Sequence, residues 1–126
     1  MPTEEGRRPD GEEADRQRQR YSAAFEQSRD AIMLIDHRGY RDWNPASLAL
    51  FAVPEGGTLD GVHPADLSPH CQPDGRPSRE AATARIEQAI QTGQAFFEWR
   101  HCTWQGSEFP AEVFLSRIEL PAGPLL

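Results

Sequence analysis

The sequence predicts an α+β domain, with an antiparallel sheet of about five strands and its helices on one face of that sheet. Three observations predict it. A short apolar run, Ala31-Ile32-Met33-Leu34-Ile35, ends at the turn Asp36-His37-Arg38-Gly39 and meets a second strand-like stretch, 40–43. Two long alternating segments, 94–103 and 109–120, flank a glycine-bearing turn. A crossover with helix signals lies between these two hairpins. Strands adjacent in sequence pair antiparallel across short turns, so the crossover carries its helices to one side.

The elements follow in order. Residues 1–20 hold 11 charged residues and almost nothing apolar. Such a segment buries too little surface to offset the entropy of ordering it, so residues 1–10 are expected to be disordered. From about Gly11 the pattern turns helical. Ala14, Tyr21, Ala24, Phe25 and Ser28 fall near one stripe, which predicts an N-terminal amphipathic helix. The division expected is therefore a charged, partly disordered segment over 1–20 and a folded domain over 21–126. In the first strand both parities are apolar, which predicts cover on both faces. Gly39 supplies the positive φ of its turn.

Asn44-Pro45-Ala46-Ser47 is a helix start: Asn is a strong N-cap, and Pro suits the first helical position. Asn44 is expected to accept the Ser47 N–H, and Trp43 to fill core. Leu48, Leu50 and Phe51 should face inward on a short helix that Pro54 ends. Residues 54–77 are rich in Pro and Gly, which predicts loops and a one-turn helix at Pro64-Ala65-Asp66-Leu67, tied down by Leu59, Val62 and Leu67. Ser78 is expected to cap the longest internal helix, 79–92, about 21 Å long. Gly93 sits where a C′ glycine belongs. Its buried stripe is read as Ala82, Ile86, Ala89 and Ile90. The chain ends as Leu125-Leu126 begins to look like another strand, which reads as a truncated last strand and a fragment of a longer protein.

Composition narrows the function. Charged residues make up 26% of the 126 and the formal net charge is −7, so a basic nucleic-acid footprint is absent. No run approaches the roughly 20 apolar residues of a membrane span, and no apolar signal region opens the chain. A cytoplasmic location with reduced thiols is expected, and Cys71 and Cys102 make no disulfide framework. His70-Cys71 and His101-Cys102 suggest a zinc site. In a strand, however, His101 and Cys102 point to opposite faces, so no metal is expected. Asp36, Asp42, Asp60, Asp66 and Asp74 sit in turns, where Asp caps backbone. Nothing resembles a nucleophile elbow, a phosphate loop or a paired-carboxylate site, so no catalytic residue is assigned. A cone-shaped isomerase fold would open with a long helical segment packed on its sheet, which fits this order poorly.

The stretch Phe25-Glu26-Gln27-Ser28-Arg29-Asp30-Ala31-Ile32, the turn Asp36-His37-Arg38-Gly39 and the helix start Trp43-Asn44-Pro45-Ala46 together resemble the opening of a PAS domain. Phe97-Glu98-Trp99-Arg100-His101, Gly106 and Phe109-Pro110-Ala111-Glu112-Val113 resemble its closing hairpin. Leu67-Ser68-Pro69, Gln72-Pro73-Asp74-Gly75 and Ser78 resemble a subset found in bacterial sensory boxes. The resemblance implies a five-stranded antiparallel sheet with short helices and one longer helix on one face. It also implies a sensory, signal-transducing module rather than an enzyme. Such a module reports to an output domain outside these residues: a histidine kinase of a two-component system, a diguanylate cyclase or a transcription regulator.

Residue types bear on the cofactor. Haem-binding domains of the oxygen-sensing type take an axial His from the long helix, and 79–92 holds none. The photoactive flavin motif is also missing, and the surroundings of Cys71 do not match a thiol-linked chromophore. No cofactor is therefore expected, and haem and flavin are disfavoured. An unidentified small molecule stays open.

By analogy with the family's pairing, Phe97, Trp99 and His101 share the helix-facing side with Val113 and Leu115. Met33, Ile35, Ile86 and Ile90 complete an apolar pocket with one polar group, His101, the usual look of a small-ligand site. His101 would anchor a small polar or carboxylate ligand. The alternative is that Phe97 and Trp99 fill the space, His101 keeps one internal hydrogen bond, and the domain is a ligand-free dimerisation or relay module. Ile32, Leu34, Phe96, Phe114 and Ile118 fall on the outer face. With Tyr21 and Phe25 of the N-terminal helix they predict a homodimer interface.

Overall fold

Gly39 is the tightest point of the first hairpin. Its φ is +111°, and a Cβ there would lie 2.6 Å from the Val62 carbonyl oxygen, so only glycine fits without moving backbone. The computed structural model that shows this describes residues 2–120 and 123–126. Its elements are α1 (Pro2–Gln27), β1 (Met33–Asp36), β2 (Gly39–Trp43), α2 (Pro45–Leu50), a 3₁₀ turn (Pro64–Leu67), α3 (Ser78–Thr92), β3 (Gln94–Cys102), β4 (Glu108–Ser116), β5 (Ile118–Leu120) and β6 (Gly123–Leu125). Residues 2–10, expected to be disordered, continue α1 as helix. Glu and Arg, which fill much of that stretch, are good helix formers.

The turn aspartates act on the backbone. Asp36 accepts the Arg38 N–H at 2.7 Å, Asp66 the His63 N–H at 3.0 Å and Asp74 the Arg76 N–H at 2.9 Å. Asn44 caps α2 by accepting the Ser47 N–H at 3.1 Å. The same side-chain oxygen takes the Ile32 N–H at 3.0 Å, while Ile32 gives its carbonyl to the Asn44 N–H at 3.1 Å. That exchange occupies Ile32's backbone, and β1 begins at Met33 rather than Ala31.

The single five-stranded sheet expected from the sequence is resolved into six strands in three antiparallel ladders, β1–β2, β3–β4 and β5–β6. Two links join them. Ile35 and Leu126 exchange backbone hydrogen bonds of 2.8 and 3.0 Å. β4 steps into β5 across one residue, Arg117. Its N–H goes to the Gly93 carbonyl at 3.0 Å and its guanidinium to the Ile90 carbonyl at 2.8 Å, so it serves the end of α3 instead of the ladder.

Phe51 and Leu59, both fully buried, centre the core, with Ile35, Tyr40, Leu67, Phe97 and Trp99 around them. Leu50, expected inside, is 40% exposed, because the six-residue α2 turns its last residues to either side and Phe51 takes the inward one. α3 ends as expected: Gly93 is left-handed, with φ +96°, and donates to the Ala89 carbonyl. Its start differs. Ser78 makes no cap bond; its hydroxyl donates to the Pro69 carbonyl and accepts from Gln72 Nε2 at 2.9 Å. Gln72 then lies along the outer edge of β3. Its Oε1 accepts the Arg100 N–H at 2.9 Å, and its Nε2 donates to the Arg100 carbonyl at 3.1 Å.

Candidate functional site

Alternation on the last hairpin builds one wall of a cleft. In β3, Ala95, Phe97, Trp99 and His101 are buried while their neighbours are exposed or half-buried. In β4, Ala111, Val113 and Leu115 share the matching face, in register with Trp99, Phe97 and Ala95. α3 supplies Ala82 and Ile86 opposite, and β1 supplies Met33 and Ile35. The volume of the cleft is about 900 Å³. Among the described residues no ladder joins β1 to β4, so the cleft opens between them. Its lining therefore includes Ile32, Glu112 and Phe114, which the alternation rule assigns to the outer face.

Eight of the nine expected pocket residues line this cleft: Met33, Ile35, Ile86, Phe97, Trp99, His101, Val113 and Leu115. Ile90 does not; it is 38% exposed, and Ala89 takes the inward position one step earlier on the helix. A small residue there lets α3 approach β3. Tyr40, Ala46 and Ala49 also line the cleft and carried no sequence signal beyond strand or helix membership. Burial pushes the Tyr40 phenol well above its usual value, so it stays protonated. Trp43 is half-buried against the core and lies outside the lining.

The polar atoms of the cleft differ in how they are satisfied. Trp99 Nε1 donates to Ser68 Oγ at 2.9 Å, and the Ser68 hydroxyl donates to the Pro64 carbonyl at 2.8 Å, so the indole is fully used. His101 is 7% exposed and stands perpendicular to Phe51 with ring centres 5.0 Å apart. Phe109 flanks it at 5.5 Å. Its Nδ1 has no hydrogen-bond partner. Burial pulls its pKa below the ordinary value, and the nearby Leu67 backbone offsets that in part. A buried, unpaired polar atom of this kind is uncommon in folded proteins.

The pH consequence has a definite sign. The folded chain resists protonating His101, while the unfolded chain takes up the proton near pH 6.5. Stability is therefore full above about pH 6.5 and falls as pH drops below it. His63 shifts in the same direction, through burial first and then Arg79. Urea midpoints at pH 7.5 and 5.5 should show this loss, and His101→Phe should show less of it. An equal loss in both proteins would remove His101 as its source.

The outer-face residues are uncovered to differing degrees. Phe96 is 62% and Phe114 59% exposed, and their rings lie 6.5 Å apart. Ile118 and Ile32 are about two-fifths exposed, and Leu34 is half-buried. On α1, Tyr21 is 71% exposed and Phe25 half-buried.

A family model described as PAS domain matches residues 19–88, more than half of the chain. Among solved structures, a PAS domain from Colwellia psychrerythraea superposes with a TM-score of 0.67 at 22% identity, covering 85% of this chain and 90% of that one. A PAS domain from a two-component sensor histidine kinase gives 0.69 at 14% identity, covering 89% and 92%. A domain of the sensory box sensor histidine kinase/response regulator from Geobacter sulfurreducens gives 0.59 at 26%, covering 86% and 89%. No curated protein matches the chain.

Proposed function

The chain belongs to the PAS domain family, and from that premise we propose that it is a signal-sensing, non-catalytic module that binds a small ligand in the cleft between β1, β3, β4 and α3. Occupancy would be relayed to an output domain elsewhere in its protein: a histidine kinase, a diguanylate cyclase or a transcription regulator. The observation that carries this reading is the cleft itself, about 900 Å³, walled mainly by apolar side chains of β1, β3, β4 and α3, with the buried His101 in its lining. A route for the relay is present. Asn44 Nδ2 donates to the carbonyls of Phe25, at the end of α1, and Asp30, both at 2.9 Å, while its oxygen holds Ile32 at the cleft's border. A ligand that shifts β1 would therefore pull on α1.

The ligand needs no haem or flavin, since α3 carries no His and the flavin motif is missing. No described helix is long and apolar enough to cross a membrane, and we place the module in the cytoplasm. The test is a native mass spectrum, with an absorbance scan, of protein purified without added ligand. A bound mass of a few hundred daltons and no Soret or flavin band are expected. A stoichiometric haem or flavin would overturn the reading.

A second reading rests on a different observation: Phe96, Phe114 and Ile118 leave an apolar sheet face open, and Tyr21 leaves an apolar helix position open. Exposed patches of this kind mark interaction surfaces. We propose a two-fold homodimer in which Tyr21 and Phe25 of one protomer cover the outer face of the other, at Ile32, Leu34, Phe114 and Ile118. Phe96→Asp or Tyr21→Asp should each shift sedimentation equilibrium at tens of micromolar toward monomer, since burying one such ring contributes roughly 1.5–3 kcal/mol. A wild-type monomer at that concentration, or variants that dimerise like the wild type, would sink this interface. Ligand-free relay through this dimer is the alternative to sensing, and the mass spectrum separates the two.

A further inference from the structure

We propose that the Tyr40 hydroxyl is the polar anchor of the cleft, and that the cleft takes a neutral, largely apolar molecule with a carbonyl or similar hydrogen-bond acceptor set against it. The proposal rests on the reading of the cleft as a ligand site and names the contact that selects what enters. It moves that contact from His101, the anchor expected from the sequence, to a residue that carried no such signal.

Tyr40 stands opposite Ile35 in the β1–β2 ladder. Neither residue spends its backbone on the other. Ile35 exchanges its bonds with Leu126, while the Tyr40 N–H goes to the Val62 carbonyl at 3.0 Å and the Tyr40 carbonyl accepts the Gly61 N–H at 2.9 Å. This is the non-hydrogen-bonded kind of antiparallel pair, with its backbone groups turned outward. All four are taken, so the position of Tyr40 is fixed from both sides. Its side chain is 5% exposed and lines the cleft. Among the described residues the Tyr40 hydroxyl has no hydrogen-bond partner. It is not sealed either: the one unpaired side-chain polar atom closed to solvent there is His101 Nδ1. The surface that the hydroxyl keeps is therefore surface of the cleft. Trp99 Nε1, another polar group of the lining, is already bound to Ser68. Burial holds the phenol protonated, so it meets a guest as an O–H donor. The rest of the lining sets the charge of that guest. Apart from His101, which burial keeps neutral, its ionisable groups besides Tyr40 are Arg29, Asp30 and Glu112, all exposed and two of them acidic. A phenol can donate to a carboxylate but brings it no positive charge, so an anion inside the cleft stays uncompensated.

Acetophenone, α-methylstyrene and benzoate test this on the full chain, titrated into the wild type and Tyr40→Phe by amide chemical shifts. The first two share one shape and differ by a carbonyl oxygen against a methylene carbon; the third carries a negative charge. Tyr40→Phe should weaken acetophenone about fivefold to tenfold, in line with one net hydrogen bond, and leave α-methylstyrene unchanged. Benzoate should bind the wild type more weakly than acetophenone does. The carbonyl stretch of bound acetophenone should lie lower in the wild type than in Tyr40→Phe, which reports the hydrogen bond itself. The hydroxyl has no internal partner to lose, so the variant should melt no more than about 4 °C below the wild type, the cost of one internal hydrogen bond in a domain of this size. A larger fall, equal effects of the variant on the two neutral probes, or a preference for benzoate would overturn the anchor and leave the cleft as a binding site. No binding of any probe to the wild type at millimolar concentration would overturn the ligand site as well.

Discussion

Asn44→Leu should destabilise the protein by about 3–5 kcal/mol, because it strands several buried backbone groups at once. The Asn44 side chain is fully buried. Its Nδ2 serves the Phe25 and Asp30 carbonyls, and its Oδ1 serves the N–H groups of Ile32 and Ser47 and the Ser47 hydroxyl, at 2.8 Å for the last. Leucine has similar size and no polar atom, so the change is in hydrogen bonding and hardly in packing. Asn44→Asp discriminates between two roles. As an N-cap, aspartate is as good as asparagine, so a residue that only caps α2 would tolerate it. As a hub it would not, because a carboxylate lacks the two donors and faces two carbonyl oxygens. Urea unfolding of Asn44→Asp should therefore lose at least 2 kcal/mol, roughly the lower bound for two lost buried donors. A loss within about 0.5 kcal/mol of wild type, the usual range for harmless changes, would reduce Asn44 to its cap.

Phe51→Ala should lose about 3–5 kcal/mol, the usual range for emptying a ring's space in a core. Phe51 is 0% exposed and touches the two aromatic groups nearest the polar wall of the cleft, His101 at 5.0 Å and Phe109 at 6.0 Å between ring centres. Its carbonyl also accepts the Trp104 N–H at 2.7 Å, which the substitution leaves in place. The loss is therefore one of packing. The emptied space lies beside His101, so the variant should also lose part of its stability change below pH 6.5, as the imidazole becomes easier to charge. Thermal and urea melts at two pH values measure both effects. A loss under about 1.5 kcal/mol, nearer a surface change than a core deletion, would place the centre of the core elsewhere.

Much of this architecture was legible in the residue pattern, and the exceptions share a cause. Turns, helix stops and strand alternation are local, and Gly39, Gly93 and the two faces of β3 stand as read. The Asn44 cap was legible because its partner lies three residues on. Its bonds to Phe25, Asp30 and Ile32 span 12 to 19 residues and carry no local signature. Ser78 misled for the same reason: a serine before a helix reads as a cap, while Pro69 and Gln72, brought in by the loop, claim its hydroxyl. Arg117 interrupts a regular alternation because the end of α3 offers it two carbonyls, and a strand pattern does not show a helix end. In the site, alternation found the residues on the inner face of the hairpin. It placed Ile32, Phe114 and Glu112 outside, since the pattern assumes a closed sheet and the space between β1 and β4 is open. The missing hydrogen bond at His101 is invisible in sequence, where a histidine on a strand looks the same whether or not it is satisfied.

The Gln72 amide obstructs the open edge of β3. Among the described residues β3 is paired on one side only, and an exposed edge of nine residues is a template on which another copy could stack and begin a growing ribbon. Near its far end, at Arg100, both backbone groups are already taken by a side chain that imitates one residue of a neighbouring strand. An incoming strand would have to evict that amide and leave Ser78 without its donor. The loop at 72 thus acts as a stopper at that position, holding with a side chain the place that one residue of an added strand would need.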